Sequence, residues 1–313
     1  MSPIVVILPV YNGKPYLQLS VESVLHQDFA DFEFFVLDDC STDGSYEYLQ
    51  SLSDPRIRLF RNPKNRGLFP NLNFLIEKSD APLIKIWSQD DIMHPNCLAE
   101  VVAFHQRYPN LGFSYSNRDI IDETGKISKV PPPDRTPEII STCLHTKIAY
   151  FVGSIAGNIA NVCLVRSSLQ KSGLFDESMK ISGDFYMWVK LARYFDTGFI
   201  NKPLIQLRDH AGQLSRKESY YAHHVVEDLV VYRYLDSYST EAEKRLGHVY
   251  MEQHKLLFYY TIMVKACFKF HFKVARNIQS ALVGYANMNK LRRNFILFKL
   301  FKKKPISLSI RLS

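Results

Sequence analysis

Near its start the chain reads Ile4-Val5-Val6-Ile7-Leu8, a continuous apolar run closed by Pro9. Four of these five residues are β-branched, which predicts a short strand buried on both faces, as in parallel sheets. Tyr16, Leu17, Val21, Val24 and Leu25 then fall on one face at helical spacing. The alternation repeats. Phe32 to Leu37 predicts a second strand, ending in Asp38-Asp39; a short helix is expected near Tyr46 to Leu52, and a strand over Ile57 to Phe60. A helix from Phe69 to Lys78 leads to a strand over Leu83 to Trp87, Pro95 opens a helix through His105, and Gly112 to Tyr115 reads as a further strand. Strand and helix in turn at this spacing predict βαβ units, an α/β fold with a mixed, mostly parallel central sheet flanked by helices.

Pro131-Pro132-Pro133 reads as a linker or an extended surface loop. Beyond it, Val162 to Val165 and Ile205 to Leu207 predict strands and Asp184 to Tyr194 an amphipathic helix. From Tyr221 onward the pattern is helical. A boundary is expected at 215–220, giving an α/β domain over 1–217 and a C-terminal helical extension over 218–313.

Composition narrows the class. With 313 residues and 46% hydrophobic positions the chain can bury a substantial core, and 13% aromatic against 22% charged residues excludes disorder. The longest apolar helical stretch, Leu256 to Val264, is about half of the ~18 residues that a spanning helix needs. The N-terminus lacks a basic segment, so no signal peptide is expected. Five scattered cysteines form no CxxC or Cys/His cluster and read as thiols of a reducing cytoplasm. The net charge of +8 is unevenly spread: 253–313 holds thirteen Lys or Arg and no acid, leaving 26 basic against 31 acidic residues before it. An acidic body with a basic tail is unlike a nucleic-acid binder, whose basic surface would extend over the fold.

Ligands of such sheets bind beyond the carboxyl ends of the strands. Two strands end there in acidic pairs, Asp38-Asp39 and Asp90-Asp91. Crowded carboxylates call for a cation or for hydrogen-bond donors, and a hard divalent ion shared with substrate phosphates meets that need. Turn capping by the first pair and solvation of the second are the alternatives.

With their neighbours, these pairs resemble the signature blocks of family 2 inverting glycosyltransferases of the GT-A type, over residues 4 to about 215. The blocks are Ile7-Leu8-Pro9-Val10-Tyr11-Asn12, Val36-Leu37-Asp38-Asp39-Cys40-Ser41-Thr42-Asp43-Gly44-Ser45 and Asn65-Arg66-Gly67-Leu68 with Asn73. They continue with Ile86-Trp87-Ser88-Gln89-Asp90-Asp91 and Pro95, Ser182-Gly183-Asp184-Phe185-Tyr186-Met187-Trp188, and Leu207-Arg208-Asp209-His210 with Ser215. Departures are Cys40 for the usual Gly, Leu72 for a frequent Arg, Ser88 for the first Asp of Asp-x-Asp-Asp, and Gly183 for Glu.

The resemblance implies a nucleotide-sugar donor, a uridine diphosphate sugar being the commonest. Tyr11 would stack on the base and Asp39 bond its imide N–H, with Pro9, Asn12, Asn65, Gly67 and Asn73 completing the donor site. Asp90 would serve ribose and metal, and Asp91 and His210 would join it in holding Mn²⁺ or Mg²⁺. Asp184 would be the general base that deprotonates the acceptor hydroxyl. Acceptor contacts are expected from Gly153 to Asn161 and a lid from Arg208 to Arg216. The acceptor would be a glycan or lipid-linked glycan of cell-surface polysaccharide or lipooligosaccharide synthesis. A sugar-phosphate nucleotidyltransferase would carry a Gly-rich basic loop where Pro9-Val10-Tyr11-Asn12-Gly13 stands. A catalytically inactive membrane-docked scaffold is the other rival, against which the intact acidic set argues.

The basic tail mixes cations with aromatics, and apolar residues cover more than half of a helix from Leu291 to Phe301. Such a segment suits the headgroup region of an anionic membrane, on the inner face of the cell membrane for a cytoplasmic enzyme. A helical subdomain with solvated cations, or a dimer partner, is the alternative.

Overall fold

The computed structural model describes residues 2–130, 135–210, 212–213 and 220–301. In chain order its elements are β1 (Ile4–Val10), α1 (Leu17–Leu25), β2 (Phe32–Asp38), α2 (Ser45–Gln50), β3 (Ile57–Arg61), α3 (Leu68–Lys78), β4 (Leu83–Ile86), β5 (Ile92–Met93), α4 (Cys97–Arg107), β6 (Leu111–Ile121) and β7 (Ile127–Lys129). They continue with β8 (Ile139–Ile140), α5 (Thr142–Phe151), β9 (Val162–Val165), α6 (Leu169–Ser172), α7 (Gly183–Ala192), β10 (Asp196–Arg208), α8 (Tyr221–Tyr238), α9 (Glu241–Gln253), α10 (Lys255–Phe268), α11 (Phe272–Val283) and α12 (Met288–Phe301). The tri-proline stretch, Ser215 and Lys302 to Lys304 lie outside the described residues.

Two compact units emerge, one of residues 1–142, 156–180 and 190–213, the other of 143–155, 181–189 and 214–313. The division differs from a single cut at 217, because two internal segments cluster with the C-terminal helices. Their side chains give the reason: Tyr150 donates its hydroxyl to Asp236 at 2.7 Å, and the backbone N–H of Ser182 donates to Glu227 at 2.8 Å.

The first unit is a mixed sheet of order β3-β2-β1-β4-β9-β6-β10-β5, with β7 on β6 and β8 on β10. Its longest ladders, β1–β2 and β6–β10, are parallel, while β9 runs antiparallel between β4 and β6. Ile4 through Leu8 are each 0% exposed, so both faces of β1 are covered, as its unbroken apolar run requires. Each such side chain contributes roughly 1.5–3 kcal/mol of burial. Register then carries function: Val10 pairs with Asp38 and Ile7 with both Phe35 and Ile86, so β1, β2 and β4 deliver their following loops to one edge.

The second unit is helical and has its own core, with Val225, Leu229, Tyr232, Leu235, Met251 and Ile278 among its buried residues. α9 starts on a capping box, Thr240 Oγ1 accepting from the Glu243 N–H while the Glu243 carboxylate accepts from the Thr240 N–H. Leu291 of α12 is buried, whereas Ile296 and Leu297 are exposed. The basic C-terminal region therefore packs part of its apolar surface within this unit. Among the described residues no helix is long and apolar enough to cross a membrane.

Candidate active site

Where β1 ends, the chain turns sharply. Asn12 (φ 50°) and, after β2, Cys40 (φ 65°) both adopt left-handed backbone. Asn tolerates this region; for Cys it costs on the order of 1 kcal/mol, so the glycine that the related motif carries at this place reflects backbone conformation rather than size. The two turns are laced together. Asn12 N–H donates to Ser41 Oγ at 3.0 Å, Thr42 N–H to Asn12 Oδ1 at 2.9 Å, and Gly13 N–H to Ser45 Oγ at 2.9 Å. Pro9, in β1 opposite Leu37, is half-buried and precedes this turn. The Tyr11 ring stays 48% exposed, leaving area for a planar ligand to stack, while its backbone is held by Gln89.

Asp39 is 2% exposed. Its Oδ1 accepts from Asn62 Nδ2 and the Arg66 N–H, both at 2.8 Å, and its Oδ2 accepts from the Gly67 N–H at 2.9 Å. A carboxylate offers about four acceptor positions, so one on Oδ2 remains for a ligand N–H. Gly67 has φ 89°, which lets the loop fold onto the carboxylate. Replacing Asp39 with Ala strands these donors. The expected result is a loss of about 1–3 kcal/mol of stability together with weaker nucleotide binding, read by calorimetric melting with and without UDP.

Asn65 is exposed on that loop. Asn73, expected in the donor site, is buried, its Nδ2 donates to the Phe175 carbonyl at 2.9 Å and to Glu177 Oε1 at 3.1 Å, and its Oδ1 accepts from the Phe175 N–H at 3.0 Å. Its amide fastens α3 to the 175–177 segment.

Asp90 and Asp91 sit in the turn between β4 and β5. Asp90 Oδ2 lies 3.3 Å from His210 Nε2, and the His210 ring packs at 5.1 Å from the Tyr16 ring. Asp91 behaves differently from its neighbour. It is 2% exposed, and its Oδ1 accepts from the Arg208 N–H at 2.9 Å. Burial raises its pKa to about 7, assisted by the nearby Asp90 charge. Among the described residues no three His, Cys, Asp or Glu side chains form a metal-holding cluster; Asp91 Oδ1 is engaged by the Arg208 N–H, while Asp90 and His210 face each other. Those two still suit Mn²⁺ or Mg²⁺, which commonly take one or two protein groups and fill the remaining positions with substrate phosphates and water.

Arg208, at the end of β10, does more than its place in the motif implies. It is 1% exposed, its Nε donates to the Asp90 carbonyl at 2.9 Å, its Nη1 donates to the carbonyls of Asp122 and Glu123, and its guanidinium lies 4.4 Å from the Tyr16 ring centre. It thereby fixes the Asp90 turn and the start of the His210 segment. The expected lid over 208–216 begins on this anchored residue, and 211 and 214–216 lie outside the described residues. In the expected acceptor stretch, Asn158 Oδ1 accepts from the Ala160 N–H at 2.7 Å, and Asn161 pairs with Ser116.

Asp184 belongs to the helical unit, in the first turn of α7, where the helix N-terminus favours negative charge. Its Oδ1 accepts from the Phe185 N–H at 2.6 Å. Burial, followed by the charges of Asp228 and Glu227, lifts its pKa to about 6. The two neighbouring acids are themselves engaged: Glu227 accepts from the backbone of Ile181 and Ser182, and Asp228 from the hydroxyls of Ser182 and Tyr259, each at 2.6 Å.

An uncharacterized glycosyltransferase of Rickettsia prowazekii is 28% identical over 216 residues, which is 68% of this chain and 66% of that one; another, of Rickettsia felis, is likewise 28% identical over 68% of this chain but 35% of its own length. The chain thus spans less than two thirds of either relative. A UDP-Glc:alpha-D-GlcNAc-diphosphoundecaprenol beta-1,3-glucosyltransferase of Escherichia coli is 29% identical over 130 residues, 42% of this chain and 51% of that one. Among solved structures, S. aureus TarS 1–349 in complex with UDP has a TM-score of 0.68 at 17% identity, covering 96% of this chain and 91% of that one. The mannosyltransferase PcManGT from Pyrobaculum calidifontis, in complex with GDP-Man and Mn²⁺, has a TM-score of 0.58 at 14% identity, covering 97% of this chain and 81% of that one. At these identities the structural likeness is one of fold. Residues 5–163, half of the chain, match glycosyl transferase family 2, and to that family the chain belongs.

Proposed function

We propose that the chain is an inverting, metal-dependent glycosyltransferase that moves a sugar from a UDP-sugar to a hydroxyl of a glycan or lipid-linked acceptor in cell-surface polysaccharide or lipooligosaccharide synthesis. The observation that carries this reading is the pairing of Asp90 with His210 at 3.3 Å, in the same unit whose strand ends offer the exposed Tyr11 ring and the incompletely filled Asp39 carboxylate. Tyr11 stacks on the base and Asp39 accepts its imide N–H; Pro9, Asn12, Asn65 and Gly67 shape the surrounding turns. Asp90 and His210 would hold a divalent ion, which when bound would neutralise charge on the departing diphosphate. Asp91 holds the Arg208 backbone and keeps these two groups in register. Asp184 takes the proton of the acceptor hydroxyl as that oxygen attacks the anomeric carbon and the diphosphate leaves from the opposite face. A single base suffices for this inversion, because the leaving diphosphate needs no proton. The UDP of the TarS complex and the diphosphoundecaprenol acceptor in the name of the E. coli relative agree with this choice of substrates. The basic helical region would bring the enzyme to the anionic inner face of the membrane.

A thermal-shift series tests the reading, since a ligand that binds only the folded state raises its melting temperature with occupancy. UDP with Mn²⁺ is expected to shift the transition more than UDP and Mn²⁺ do separately, and UDP-sugar is expected to hydrolyse slowly without acceptor. A chain that melts identically with and without the pair, and releases no UDP, is no transferase.

A further inference from the structure

The helical unit contains a groove of about 1610 Å³ that the donor chemistry does not use. Sites for drug-sized molecules hold about 300–1,000 Å³, so this one has room for a larger ligand. One wall is a single face of α10: Lys255, Phe258, Tyr259, Ile262 and Ala266 recur at helical spacing along it, and Lys269 follows at its C-cap. At 1.5 Å per residue that face runs for about 20 Å. Its two ends differ chemically. At the far end, the turn from α10 to α11 exposes Phe268, Phe270 and Phe272 by 81%, 77% and 58%, large aromatic surfaces that a solvated turn has no reason to gather. At the near end stand His254 and Lys255, both half-buried. The His254 Nε2 is buried and lacks a hydrogen-bond partner among the described residues. Lys255 donates to the Tyr232 hydroxyl and, at 3.5 Å, to the Val152 carbonyl, which leaves one ammonium proton for another acceptor.

Charge selects the occupant. Among the described residues the only acid lining the groove is Asp228, already bonded to Ser182 and Tyr259, and no Asp or Glu occurs anywhere in the sequence of 253–313. An apolar trough with a cationic, donor-bearing end and an aromatic mouth complements an anionic headgroup on a long hydrocarbon chain. The near end also adjoins the proposed base, because Asp228 holds Ser182, two residues before Asp184. We propose that this groove binds the lipid of a lipid-phosphate-linked acceptor, its hydrocarbon chain along α10 and its phosphate at His254 and Lys255. The proposal rests on the transferase reading for the role of Asp184, but the lipid site can be measured without it.

Farnesyl phosphate below its micellar concentration serves as the probe, titrated into the full chain by calorimetry, with farnesol and inorganic phosphate as separate arms. Saturable one-to-one binding of farnesyl phosphate is expected, with farnesol weaker by about tenfold and inorganic phosphate weaker still, since each lacks one half of the recognition. Ile262→Trp fills the trough and is expected to weaken farnesyl phosphate by about tenfold or more. If that variant fails to fold, Phe258→Ser, at a position 61% exposed, gives the same direction with a smaller loss. His254→Gln should weaken farnesyl phosphate while leaving farnesol unchanged. Equal binding of inorganic phosphate, undiminished binding to the folded trough variants, or binding only to phosphatidylglycerol vesicles overturns the proposal; the last outcome would make this face a bilayer contact. The UDP and Mn²⁺ thermal shift on the same preparation separates the two ideas, because its loss sinks the transferase and its survival beside a lipid-blind protein sinks only the groove.

Discussion

Asp184→Asn is expected to bind UDP with Mn²⁺ as the parent does and to turn over about 10²–10⁴-fold more slowly, the usual contribution of a positioned general base. The amide keeps the size of the carboxyl and can still accept from the Phe185 N–H, so the start of α7 is preserved. What disappears is the ability to take a proton. Because burial and the charges of Asp228 and Glu227 raise the Asp184 pKa to about 6, the parent enzyme should gain activity with rising pH, about tenfold per unit below that value, and level off above it. The same shift has a stability consequence of defined sign. Between pH ~4 and ~6 the folded chain holds a proton that the unfolded chain has released, so raising the pH through this window destabilises the fold. Allowing for partial exposure, the ionised carboxyl costs about 1–2 kcal/mol at pH 8. Asp184→Asn should therefore melt higher than the parent at pH 8 and at the same temperature near pH 4. An Asn variant that is active removes Asp184 from the chemistry, and one whose melting temperature falls at pH 8 contradicts the raised pKa.

The parts of the fold that were legible are those whose signal is local. β1 is covered on both faces and forms an unbroken apolar run, and β2 is apolar and buried but for the half-buried Glu33, so the ends of both strands coincide with the Tyr11 turn and Asp38-Asp39. The sequence pattern predicts only Ile205 to Leu207 of β10, which has thirteen residues, Asp196–Arg208. The cause is local as well: Asn201, Lys202 and Pro203 are exposed, and the pairing with β6 shifts register on either side of Pro203, so a polar, proline-bearing bulge resembles a strand end. β6 continues to Ile121 through Asn117, Arg118 and Asp119, half-buried polar positions that halt a hydrophobic reading.

Residues whose roles depend on distant partners were not legible. Asn73 stands in a motif position, yet its amide is committed to Phe175, 102 residues away. Asn62 completes the Asp39 shell from outside the matched letters, and Arg208 acts through the carbonyls of Asp90, Asp122 and Glu123. Asp91 looked equivalent to Asp90 because both are acids at one strand end. Burial and the Arg208 N–H distinguish them, and neither is written in a two-letter motif.

That distinction sets the second large effect. Asp90→Asn should abolish the extra stabilisation that Mn²⁺ adds to UDP while leaving the shift from UDP alone, and should lower turnover by about 10²–10³-fold or more, the scale for losing a group that stabilises developing negative charge. A chelator applied to the parent should reproduce the same loss. His210→Ala removes the other member of the pair, and the double variant should be scarcely worse than Asp90→Asn, since groups acting on one ion are not additive. Asp91→Ala makes the contrast. It leaves the buried Arg208 N–H without its acceptor, so it is expected to lower stability by about 1–3 kcal/mol, with the Mn²⁺ enhancement of UDP binding retained in the molecules that remain folded. If Asp91→Ala instead melts like the parent and loses the Mn²⁺ response, the cation is held by Asp91 and the division of labour between the two acids is reversed.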